Sequence, residues 1–177
     1  MKWLILSTGF IHDLSIAVYL GGAVAMEFIL MPAQRAIPPA QAQIMGEKTS
    51  DRFLVLVWVS LILIFITGVL RLYFRGFLFG ASLFMPPLTL EFAYGRTALA
   101  LFLVWCVLVV NGLLITFVFR PMLTGKLGAG ATREQATRNT GGKMSAATWI
   151  QNLSRIDLAL AVIAVLLGAA LARGGLF

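Results

Sequence analysis

The sequence predicts an all-α integral membrane protein, a single four-transmembrane-helix bundle covering residues 1–177 with both termini on the outer side. Three observations predict it. Of the 177 residues, 60% are hydrophobic and 12% are charged, against about 25% charged in soluble domains. Mean hydropathy is +0.93. Four apolar runs each approach the roughly 20 residues that a helix needs to cross a hydrocarbon core. Backbone polar groups must be satisfied internally in lipid, so these runs are helices.

The first helix is expected over about residues 4–31, stopped by Pro32. A faint likeness to a signal peptide at Met1–Lys2–Trp3 is set aside, because His12 and Asp13 interrupt the apolar region. The second helix spans about 53–73, with no charge from Phe53 to Leu70. The third spans about 97–119, again uncharged, and is expected to stop at Arg120–Pro121. The fourth covers about 147–172. Between them, a polar stretch from Gln41 to Asp51 reads as a short surface helix. Phe74 to Phe92 is an apolar segment at the membrane interface, and Thr124 to Ser145 a mobile Gly-, Thr- and Arg-rich loop. Gly125–Lys126–Leu127–Gly128–Ala129–Gly130 has the composition of a phosphate loop. It follows a membrane helix and not a strand, so it reads as linker.

Charge sets the orientation. The first and third loops hold Arg35, Lys48, Arg52, Arg120, Lys126, Arg133, Arg138 and Lys143. The termini and second loop hold Lys2, Arg71, Arg75, Arg96 and Arg173, fewer by three. The positive-inside rule then places loops one and three in the cytoplasm. The net charge of +7 is a topology signal and does not point to nucleic acid, since no basic recognition module is present. A single cysteine, Cys106, rules out a disulfide framework and zinc-type spacing. No nucleophile–base pair argues for hydrolysis; a non-enzyme is the favoured reading, with enzymatic activity left open.

The candidate site starts from His12, the one histidine of the chain. An ionisable ring inside a membrane helix is a functional candidate by default. His12, Ser15 and Tyr19 recur at helical spacing, and Gly22 and Met26 continue that face. Arg71 near the end of the second helix, and Tyr94 and Arg96 at the start of the third, are expected at the depth of His12. An imidazole with cations beside it suits haem b, whose propionates need partners. Asp13 and Glu91 are the alternative partners of these arginines, which would make the belt purely structural. Bis-histidine ligation within one chain is impossible. Met26 lies fourteen residues on, about 21 Å along the axis, so a sixth ligand would come from Met85 or from His12 of a second copy. Copper is the alternative ion at His12, although the methionines are scattered. At the other end Glu27 is expected to pair with Arg155, and Asp157 joins that cluster.

These residues carry a resemblance. The chain resembles the copper-resistance protein D (CopD) domain family in five passages. They are His12 to Gly22, Pro32 to Ala40, Arg52–Phe53 with Thr67–Gly68, Tyr94–Gly95–Arg96, and Arg155–Ile156–Asp157–Leu158. The match runs over nearly the whole chain. It implies a bacterial inner-membrane location and a role in copper transport or resistance. A more distant similarity to HemJ-type protoporphyrinogen oxidases implies a haem at His12. The reading is a CopD-like membrane protein holding haem b, or a metal ion, through His12. Tyr19, Gly22, Arg71, Tyr94 and Arg96 complete the site. It would serve electron transfer or act as an accessory subunit, as a homodimer or within a larger membrane complex. Copper transport, a HemJ-like oxidase and a cofactor-free structural subunit are the alternatives.

Overall fold

The computed structural model describes residues 2–75, 90–124 and 133–176. The described residues are helical and contain no strand. Four helices are long and apolar enough to cross a membrane, with mean hydropathy between 1.9 and 2.9 in their most apolar windows. We label them α1 (Lys2–Arg35), α2 (Pro39–Phe74), α3 (Ala93–Leu123) and α4 (Arg133–Ala172). The helix α1 packs chiefly on α2, and α3 on α4; contacts of α1 with α4 and of α2 with α3 close the ring. Large apolar side chains point outward around the whole bundle, as lipid demands. The tightly buried positions are instead rich in small hydroxyls: Thr8, Ser15, Ser60, Thr67 and Thr97. Four of these donate to the carbonyl one turn back, Thr8 to Leu4, Ser15 to Ile11, Thr67 to Leu63 and Thr97 to Ala93. That satisfies each hydroxyl within its own helix, so interior polarity does not require a partner across the bundle. Two indoles bridge α2 and α3. Trp105 donates to the Leu61 carbonyl at 3.1 Å and Trp58 to Thr116 Oγ1 at 3.2 Å.

Neither proline expected to end a helix does so. Pro32 and Pro121 each follow a π-helical turn, Met26–Leu30 in α1 and Leu114–Phe119 in α3. Proline removes one backbone donor and crowds the carbonyl four residues back. Widening the preceding turn relieves that crowding and lets the helix continue. Likewise, the polar stretch from Gln41 to Asp51 is the first part of α2 and not a separate surface helix. Residues 133–145, expected as loop, belong to α4. Both segments extend their helices past the length that a bilayer needs. Arg120 pairs with Asp51 at this end of the bundle. Met85, the remaining residues of 76–89 and the 125–130 glycine segment lie outside the described residues.

The tail after α4 folds back on the start of α3. Gly175 adopts φ +110° and lies so close to the Ala93 carbonyl that a Cβ would collide with backbone. The Leu176 amide donates to Thr97 Oγ1 at 2.9 Å, and Thr97 is fully buried. Gly175→Ala is expected to undock this tail, with a cost of about 1–3 kcal/mol for the strained backbone. Amide hydrogen exchange at Leu176 and over the first turn of α3 should accelerate, while exchange at the centre of α3 stays unchanged.

Candidate functional site

The bundle holds a half-open cavity of about 550 Å³, within the range of pre-formed small-molecule sites. Along α2 its lining runs from Arg75 down to Leu61, fourteen residues or about 21 Å of helix. Its walls are mostly apolar. Phe65 stacks on Trp105 with centroids 4.6 Å apart, and Phe102 stacks on the same indole at 6.0 Å. Alanine and glycine on α4 (Ala161, Ala164, Gly168 and Ala169) form the facing wall. Small side chains on one side and flat rings on the other leave a slot.

His12 lies in the wall of this slot, half-buried. Its Nδ1 is 2.8 Å from Thr67 Oγ1. The Thr67 hydroxyl has one proton, and that proton is directed at the α2 backbone, to Leu63 O at 2.5 Å and more weakly to Ile64 O at 3.3 Å. Thr67 therefore accepts at its other face, and His12 Nδ1–H donates. The remaining nitrogen, Nε2, carries the lone pair. It is the ring nitrogen that Thr67 does not engage, and the Ile64 carbonyl also lies within reach of the ring. An imidazole held by its Nδ1–H is the arrangement found in histidine ligands of metals. Gly68 leaves room beside the ring, since a Cβ there would come 3.6 Å from His12 Cε1.

The mouth is cationic. Arg71 and Arg75 line it together with Tyr94. Arg71 Nη1 also donates to Asp13 at 3.1 Å. That contact is single-ended, and Asp13 is 72% exposed, so it engages only part of the guanidinium. His12, Asp13, Arg71 and Tyr94 line the same cavity. Arg96 stands apart from the lining: its Nη1 donates to the carbonyls of Leu90 and Glu91, bracing the entry to α3. Glu91 thus meets Arg96 through its backbone carbonyl. Gly22 is also outside the cavity. A Cβ there would lie 2.8 Å from the Phe53 ring, so Gly22 serves the close approach of α1 to α2. Tyr19 belongs to the site, at the deeper end.

Near Tyr19 the structure places a group that the sequence did not suggest. Asp157 accepts from Asn111 Nδ2 at 2.7 Å and lies within electrostatic reach of Tyr19. The sequence reading set Asp157 with Glu27. Residues two apart on a helix point about 200° away from each other. Arg155 therefore meets Glu27 on α1, at 2.7 Å, while Asp157 turns to α3. Asn111 at mid-helix was the available signal, since a buried amide in lipid needs a polar partner.

Among the described residues, no three His, Cys, Asp or Glu side chains stand together as a metal shell. A metal at His12 would therefore have one protein ligand, an arrangement that suits a macrocycle bringing its own nitrogens better than a bare ion. No protein-family model, no curated protein and no solved structure matches this chain.

Proposed function

We propose that this chain is a membrane b-type haem protein, with His12 Nε2 as the axial ligand and electron transfer as its role. The observation that carries this reading is the 2.8 Å contact of His12 Nδ1 with Thr67 Oγ1, whose own proton goes to Leu63 O, in the wall of an apolar slot. Haem is an apolar plate with two carboxylates at one edge. Its chemical needs are an imidazole, flat apolar walls and cations at one end. Those needs correspond to His12, to Phe65, Phe102 and Trp105, and to Arg71 and Arg75. When bound, the group would supply one-electron chemistry. The chain's part is to hold the iron on one side, to meet the carboxylates at the mouth and to exclude water along the aromatic wall. The resemblance to the CopD family agrees with a bacterial inner-membrane protein. The excess of Lys and Arg around loops one and three supports both termini outside, which sets the His12 end at the outer face. A second copy, or a partner subunit, would supply the exchange partner for the electron.

The test is the absorption spectrum of the full chain, purified in detergent from haem-replete cells. A Soret band with about one haem per chain is the expected result. A colourless protein without extractable haem overturns the proposal.

A further inference from the structure

At the end of the bundle opposite His12, two guanidinium groups converge on one amide oxygen, and one of them also pairs with a carboxylate. Arg155 Nε donates to Glu27 Oε1 at 2.7 Å. Gln151, one turn before Arg155, has its side-chain oxygen 3.1 Å from Arg155 Nη2 and 3.1 Å from Arg35 Nη2, with the amide turned to satisfy both. The cluster therefore holds two positive charges, one negative charge and a neutral carbonyl, a net excess of one cation. Glu27 offsets only one of the two cations, and its second oxygen, Oε2, is buried and makes no hydrogen bond to either arginine.

These arginines face outward. The Arg155 side chain is 53% exposed, and Arg35 is exposed as well. From Arg155 the same stripe of α4 continues through Ala159, Val162 and Leu166 at i+4, i+7 and i+11, all exposed. On α1, Phe28 and Ile29 beside Glu27 are exposed too. Arg155 lies seventeen residues before Ala172, about 25 Å along the helix. With Ala172 at one boundary of a hydrocarbon core about 30 Å thick, the Arg155 backbone lies about 5 Å inside the other boundary, and its long side chain reaches the headgroups from there. Fork-shaped guanidinium donors at headgroup depth, above an outward apolar stripe, match a phosphate with acyl chains below it.

We propose that Arg35 and Arg155 form a binding site for an anionic phospholipid at the contact of α1 with α4. The phosphate is held by the two guanidiniums, and an acyl chain lies along Val162 and Leu166. The site is independent of what His12 holds.

The test is thermal unfolding of the detergent-purified full chain with added phosphatidylglycerol, phosphatidylcholine or inorganic phosphate. Phosphatidylglycerol is expected to raise the midpoint by about 5 °C over phosphatidylcholine, and inorganic phosphate is expected to give no shift. Arg35→Gln should cut the phosphatidylglycerol shift by more than half while the midpoint in phosphatidylcholine stays the same. Arg35 carries the test because losing Arg155 strands Glu27 without its cation and threatens folding. Equal midpoints in the two lipids, a full shift from inorganic phosphate alone, or an undiminished shift in Arg35→Gln would each overturn the proposal.

Discussion

His12→Ala is expected to yield a folded, colourless protein. The substitution removes the only imidazole and with it Nε2. It leaves no orphan behind, because Thr67 keeps its own bond to Leu63 O at 2.5 Å. Unfolding temperature and helical circular dichroism should therefore change little, while the Soret band disappears. Thr67→Val refines the result. Valine keeps the shape but cannot accept from Nδ1–H, so the ring loses its orientation and its tautomer is no longer fixed. Loss of such an outer partner typically weakens metal affinity about 10- to 100-fold. Titration of apo-protein with haem should read that loss as a shifted binding curve with the band still present at saturation. A His12→Ala protein that retains its full haem complement would remove His12 from the site. A Thr67→Val protein with unchanged affinity would instead reduce the Thr67 contact to simple packing.

The second large effect concerns Asn111. Its amide is the hydrogen-bond donor to Asp157, at 2.7 Å, across the α3–α4 contact. Asn111→Leu leaves that carboxyl group without its donor, and an unsatisfied buried acceptor costs about 1–3 kcal/mol, more when charged. The double variant Asn111→Leu with Asp157→Leu removes both polar groups and should recover most of the loss, because exchanging a whole polar pair for apolar groups is nearly neutral. Reversible unfolding in mixed micelles measures both. Equal destabilisation in the single and double variants would show that the two residues act separately.

Much of the architecture was legible in the sequence because lipid imposes simple rules. Long uncharged runs had to be helices, and all four are present. The one-sided spacing of His12, Ser15 and Tyr19 predicted the inward face of α1, and both Ser15 and Tyr19 are buried. The Asp13–Arg71 and Glu27–Arg155 pairs also followed, since charges near the bundle must find one another. The failures share a cause: each depended on geometry between helices or on backbone adjustment. Pro32 and Pro121 looked like stops because periodicity does not encode a π turn. Thr67 looked like one of a few scattered hydroxyls; only the packing of α1 on α2 brings it to Nδ1. Gly22 and Tyr19 lie on one face of the helix. Residues on one stripe at different depths meet different neighbours, and Gly22 meets Phe53 instead of the cavity. The slot itself depends on small α4 residues standing opposite rings on α2 and α3, which no single helix reveals.

The widened turns ahead of the two prolines have a geometric corollary. A π turn acts as one residue inserted into an α-helix, so whatever follows is rotated by about 100° relative to an uninterrupted helix. Arg35 comes after such a turn, and its reach to Gln151 depends on that offset. Deleting one residue between Met26 and Leu30 would restore uniform winding and keep the Arg35 guanidinium facing α4, whereas winding the full-length segment as an unbroken α-helix would swing it away. The phase of this helix is therefore as much a determinant of the charged end as the identity of its side chains.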